Sequence, residues 1–171
     1  MMKLSILFFL NILSSSCNSI KKNDKIDSLK ELPVFNMLSV KTLRLISIAA
    51  IHNGTPVILC YFSSTCEHCQ NEIKSLLENK QYFKGTKFFL VSNDSIADLQ
   101  KFIYNYHIDS ALNFFVAKDY QFSFYNIFHP PLVPYLVIYN SKRQLKRIYI
   151  GEANLQSVIA DINDSKKVIL N

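Results

Sequence analysis

The chain is short of cysteine, of long apolar runs and of clustered positive charge, and each shortage removes a class of protein. Four cysteines in 171 residues are too few for a fold stapled by disulfides. The longest apolar run, Leu4 to Leu13, is too short to span a bilayer. The formal charge of +6 falls by one once Lys3 leaves with the amino-terminal segment. What remains is scattered through positions 21–30 and the turn from Lys142-Arg143 to Lys146-Arg147, so no basic face forms for nucleic acid. A mild attraction to anionic headgroups or acidic partners is what that charge allows. No internal repeat is present.

What is there begins with an address. Lys3, a short apolar core, Ser14-Ser15-Ser16 and a single Cys17 read as a secretory signal. Small residues before a lone cysteine also resemble the cleavage box of bacterial lipoproteins, with Cys17 as the lipidated first residue of the mature chain. Plain cleavage near Ser16 and an uncleaved anchor are the alternatives, and each leaves the domain exported. The expected organisation is a signal over 1–17, a flexible polar spacer over 18–32 and one folded domain over 33–171. About 150 residues after processing is enough for a proper core.

Along that domain, strand and helix signals alternate. Val57 to Phe62 is a continuous apolar run, the mark of a strand buried on both faces, and it follows the turn Asn53-Gly54-Thr55-Pro56. Cys69, Ile73, Leu76 and Leu77 give Glu67 to about Asn79 a helical stripe. Lys87 to Val91 reads as a second strand, closed by the capping run Ser92-Asn93-Asp94-Ser95, and Ile96 to Tyr106 as an amphipathic helix. Phe114 to Ala117 follows as a strand and Asp119 to about Phe128 as a short aromatic helix. Tyr135–Tyr139 and Leu145–Ile150 form a hairpin, and a last helix carries Leu155, Val158, Ile159 and Ile162. Val34 to Ile51 adds a strand or hairpin and a short helical turn ahead of the rest. The order predicts an α/β fold, a mixed sheet between helices.

The chemistry is concentrated in Cys66-Glu67-His68-Cys69, where an apolar strand gives way to a helix. A thiol in the first turn faces unpaired backbone N–H groups and the positive end of the helix dipole, which favours its thiolate. With Cys17 given to lipid and Cys60 inside a strand, Cys66 and Cys69 are left as the pair able to bridge. A structural zinc would need two more ligands, and His52, His107 and His129 fall at no ligand-like spacing, so no metal is expected.

These residues resemble the thioredoxin-like family, more specifically the membrane-tethered envelope thiol-disulfide oxidoreductases similar to the cytochrome c maturation reductases, over roughly Val34 to Asn163. The resemblance implies a three-layer thioredoxin-like sandwich, with the Val34 to Ile51 segment added to it, and thiol-disulfide exchange by Cys66 and Cys69 with no cofactor beyond their own redox-active disulfide. It places a cis-proline at Pro134, the backbone of Val133 then pairing with substrate; an ordinary trans proline is the alternative. It puts a glutamate at Glu72, either a proton carrier for the thiols or a solvated helix residue. His68 either stabilises the Cys66 thiolate or faces solvent, and Glu67 opposes it. The implied partners are disulfide-containing exported proteins, a membrane-bound electron donor and the membrane itself through the lipid on Cys17. The implied place is the periplasmic side of the envelope and the implied direction is reduction.

The chain also departs from the family. It has no tryptophan, and Thr65 stands where the family usually places one before the first cysteine. Cys60 replaces a buried acid six positions earlier. Cys60 is expected to pack as a small hydrophobe. Other readings of the same residues are a thiol oxidase or isomerase, a thioredoxin-fold peroxidase and a noncatalytic peptide-binding module; the peroxidase lacks a local arginine, none occurring between Arg44 and Arg143.

Overall fold

The computed structural model describes residues 29–163; the signal segment, Cys17 and the spacer up to residue 28 lie outside them. Seven strands, β1 (Asn36–Ser39), β2 (Leu45–Ser47), β3 (Val57–Tyr61), β4 (Lys87–Ser92), β5 (Phe114–Lys118), β6 (Tyr135–Tyr139) and β7 (Leu145–Ile150), build the sheet. Four α-helices, α1 (Glu67–Glu78), α2 (Ile96–Asn105), α3 (Ser123–Phe128) and α4 (Leu155–Asn163), cover it. The strand order is β2-β1-β5-β4-β3-β6-β7, a mixed sheet with the thioredoxin-like arrangement.

β3 sits in the middle because it is apolar on both faces: all five residues are buried. It pairs parallel with β4 and antiparallel with β6. The steps β3 to β4 and β4 to β5 run the same way across the sheet, and both are parallel pairings. Right-handed crossovers therefore lay α1 and α2 on one face. There Ile58, Cys60 and Phe62 meet Cys69, Ile73 and Leu76 of α1, Leu99 and Phe102 of α2 and Val158 of α4.

The alternate residues Val57, Leu59 and Tyr61 point to the other face. α3 is six residues long and cannot cover that face alone. Its Phe124 stacks on Tyr61, ring centres 4.8 Å apart and 7° from parallel, and Phe35 meets Phe124 and Phe128 edge-on. The segment before β3 supplies the remainder through Leu29, Leu32, Met37, Ile48 and Ile51. The expected addition is thus present as the hairpin β1–β2, joined antiparallel to β5, followed by a 3₁₀ turn over Ile48–Ala50.

Two boundaries differ from the sequence reading. The spacer does not run to Leu32: Leu29 and Leu32 are buried, and Leu32 N–H donates to the Arg143 carbonyl while Leu145 N–H donates to that of Lys30. Tyr139 Oη closes the seam by donating to the Leu29 carbonyl at 3.1 Å. Lys30 and Glu31 between the leucines disguised a segment that needs only every third side chain, Leu29, Leu32 and Phe35, inside. The aromatic helix starts at Ser123 rather than Asp119, because the buried Asp119 carboxylate accepts from the N–H groups of Phe124 and Tyr125. It caps the helix from outside, with Phe122 left-handed at φ 54°.

One end of the sheet collects the carboxyl ends of β3, β4, β5 and β7 and the start of β6. The antiparallel register pairs Tyr61 with Tyr135; one step further sets Pro134 opposite Phe62, at the mouth of the turn that leads to Cys66. Gly151, at φ +84°, bends the chain off β7 as only glycine does easily, and its N–H donates to the Pro134 carbonyl at 2.8 Å.

Candidate active site

Cys66 is the N-cap of α1, with extended backbone at φ −83° and ψ 118°. Its carbonyl accepts the first helical bond, from Gln70 N–H at 3.0 Å, and its own N–H closes the preceding turn on the Ser63 carbonyl at 3.2 Å. The side chain makes no capping hydrogen bond. It is half-buried, so the sulfur of an uncommitted cap residue is within reach of a partner.

Cys69, one turn on, is completely buried. Neither thiol is bridged. Burial pushes the Cys69 thiol up to about 12, the neighbouring Cys66 raises it further, and a backbone hydrogen bond at Ser63 pulls the other way. The arrangement divides the labour: an accessible cysteine in front and, one turn behind it, a buried one that holds its proton. Cys60, on β3 beneath them, is wholly buried, and burial first, then Glu72 and Cys69, raise its thiol. It packs as an apolar residue.

Glu72 is not a solvated helix residue. It is 5% exposed, on the same face of α1 as Cys69, and its Oε2 accepts the Ala153 N–H at 2.7 Å. Burial raises its carboxyl to about 7 against that hydrogen bond, with Glu152 adding to the rise. A carboxyl poised there can take and return a proton near neutral pH. Its buried surroundings also answer an absence noted in the sequence: an acid lies beside Cys60 after all, delivered from the helix instead of the strand.

His68 is exposed and its Nδ1 is bonded to Glu152 Oε1, in the loop after β7. Glu67 is exposed on the first turn of α1. The Val133–Pro134 bond is cis, Pro134 is buried and Val133 half-buried. Val133 touches both core clusters.

Sequence reasoning missed Asp94. Its Oδ2 accepts from Ser64 N–H at 2.6 Å, Ser64 Oγ at 2.7 Å and Ser63 Oγ at 3.3 Å. The signal was present in Ser92-Asn93-Asp94-Ser95, which holds more capping residues than one helix needs. Ser95 caps α2 by accepting the Asp98 N–H, which leaves Asp94 for another task.

A model of the AhpC/TSA family matches residues 29–149. The chain belongs to the AhpC/TSA family. Solved structures on the same fold include a secreted disulfide oxidoreductase of Mycobacterium tuberculosis homologous to Escherichia coli DsbE, at 16% identity, 80% of this chain, 97% of that chain and a TM-score of 0.64. StoA from Bacillus subtilis matches at 19% identity, 77% and 98% coverage and a TM-score of 0.58. A peroxiredoxin-like protein from Aquifex aeolicus matches at 14% identity, 78% and 84% coverage and 0.66. No curated protein matches the chain.

Within this AhpC/TSA chain no arginine among the described residues stands beside Cys66. Arg44 lies in the β1–β2 turn and Arg143 in the β6–β7 turn, where it bonds the Ile51 carbonyl; both turns are at the far end of the sheet from Cys66. Arg147 is paired with Asp161 at 2.7 Å. Among the described residues, no group of three or more His, Cys, Asp and Glu is placed to hold a metal ion, and no helix is long and apolar enough to cross a membrane.

Proposed function

We propose that this protein is an envelope thiol-disulfide oxidoreductase that reduces disulfides of exported proteins with the Cys66/Cys69 dithiol. The observation that carries the reading is the cysteine pair: Cys66 half-exposed at the cap of α1, and Cys69 fully buried one turn behind it.

The Cys66 thiolate attacks one sulfur of the partner's disulfide. That S–S bond breaks, a mixed disulfide forms and the first partner sulfur leaves as thiolate and is protonated. Glu72 takes the proton of Cys69, whose thiolate then attacks the Cys66 sulfur. The mixed disulfide breaks as the Cys66–Cys69 disulfide forms, the second partner sulfur leaves and takes the proton back from Glu72, and two electrons have passed to the partner. Charge supports this direction. Asp94 adds negative charge beside Cys69, which disfavours its thiolate and makes the dithiol the better donor.

The spent disulfide must be reduced again, and a membrane-bound electron donor fits a domain held at the membrane by lipid on Cys17. Val133 would offer its backbone to the partner beside Cys66, as the family resemblance implies. No cofactor is needed beyond the disulfide itself.

Trapping tests the reading. With Cys69→Ser the second step cannot occur, so partners are expected to remain disulfide-linked to Cys66, released by reductant and absent when Cys66 is also replaced. A Cys69→Ser protein that captures no partner in its native envelope rejects the proposed role.

A further inference from the structure

The turn Ser63–Thr65 carries no regular structure of its own, yet it sets where the Cys66 sulfur stands. A segment one step from a reactive atom needs an outside fixture, and the bonds to Ser64 show what supplies it. On one side Gln70 Nε2 donates to the Ser64 carbonyl at 2.8 Å. On the other the Asp94 carboxylate takes the Ser64 N–H and both serine hydroxyls on a single oxygen.

Asp94 is itself anchored. Its N–H donates to Ser92 Oγ at 3.1 Å, and Lys118 Nζ, from the end of β5, donates to the carbonyls of Asn93 and Asp94 at 2.9 and 2.7 Å. The chain of contacts runs from β5 through the β4–α2 loop to the turn before Cys66. Lys118 spends its donors on backbone carbonyls, and the carboxylate is turned toward the serines.

We propose that Asp94 is a positioning residue for thiol-disulfide exchange, its carboxylate fixing the Ser63–Ser64 turn that presents Cys66 and holding one negative charge beside the dithiol. The charge reaches the pair from a separate element: Asp94 is among the groups that hold the proton on Cys69. The other titratable side chains on the neighbouring elements are Glu67, His68 and Glu72 on α1 and Glu152 after β7. Asp94 alone among them also bonds the turn.

This inference rests on the exchange reading, and two substitutions separate its halves. Asn keeps an oxygen for the serine bonds and removes the charge, whereas Ala removes both. The measurement is the dithiol/disulfide ratio of the full chain in alkaline glutathione buffers, where part of the dithiol is ionised and the charge can act on it, read by mass-tagging free thiols, together with the rate of insulin-disulfide reduction. Asp94→Asn is expected to shift the equilibrium about threefold toward the dithiol, about 14 mV for a two-electron couple. Asp94→Ala is expected to show that shift and in addition a rate at least about tenfold below that of Asp94→Asn.

An Asp94→Asn equilibrium equal to wild type overturns the proposal, as does an Asp94→Ala rate equal to that of Asp94→Asn. Should Asp94→Ala fail to fold, the equilibrium of Asp94→Asn still decides. A wild-type protein that forms no Cys66–Cys69 disulfide at any glutathione ratio defeats the exchange reading itself. A cycling wild type with unaltered Asp94 variants defeats only this inference.

Discussion

Replacing Cys66 by serine is expected to reduce insulin-disulfide turnover to the rate of the thiol donor alone, a loss of at least about 10³-fold, because no other sulfur can take its place. Cys69 is sealed in the core with its thiol held protonated, and Cys60 lies deeper still. Cys60→Ala separates the two kinds of cysteine. It removes a fully buried sulfur from the face that packs on α1, so it costs stability, about 1–2 kcal/mol, and is expected to retain insulin reduction. Denaturant unfolding and the insulin assay on the same samples check both halves. A Cys66→Ser protein that still turns over insulin above background, or a folded Cys60→Ala protein that does not, would mean that the reacting sulfur has been misassigned.

Much of the frame was legible because it rests on local pattern. Val57 to Tyr61 announced a two-faced central strand by carrying no polar residue at all, and Ile73, Leu76, Leu99 and Phe102 fell at the helical spacing that their burial requires. The thiol pair was legible for the same reason: four consecutive residues at a strand-to-helix junction contain it. What was hidden depends on residues distant in sequence. Whether Glu72 faces water or the core is decided by the loop at Ala153, and nothing near position 72 reports that.

Asp94 was hidden in another way. Its neighbours gave it an ordinary explanation as helix-capping chemistry, and the better one lay 30 residues earlier at Ser64. Leu29 and Leu32 were concealed by their company, since a spacer and an edge segment with only every third side chain inside share a composition until the partner carbonyl, here that of Arg143, is known. Cys60 was read correctly as buried, while the acid it displaces came back from a helix instead of a strand.

Glu72→Gln is expected to stabilise the fold at pH 8 and to slow the enzyme. In the unfolded chain the Glu72 carboxyl titrates near 4.5, and burial raises it to about 7 in the folded protein. Between those values the folded state keeps a proton that the unfolded state has lost. Stability therefore falls as pH rises through that window, is undiminished below it and levels off above it. The shift corresponds to a little over about 3 kcal/mol, and relaxation around the carboxylate brings the expected effect to about 2–3 kcal/mol. Glutamine is nearly the shape of the protonated acid, can accept the Ala153 N–H through its oxygen, and does not ionise. The variant should match wild type near pH 4.5, exceed it by about 2–3 kcal/mol at pH 8 in denaturant unfolding, and lose the slope between. The same change leaves Cys69 without a local proton acceptor, so insulin reduction at pH 7 is expected to fall about tenfold, within the usual range for removing a general base. A variant with the wild-type slope would show that Glu72 is not the group that titrates there; one with full activity would show that its proton plays no part in exchange. A carboxyl that weakens the fold at neutral pH and sits one turn from a buried thiol is most simply explained by the reaction it serves.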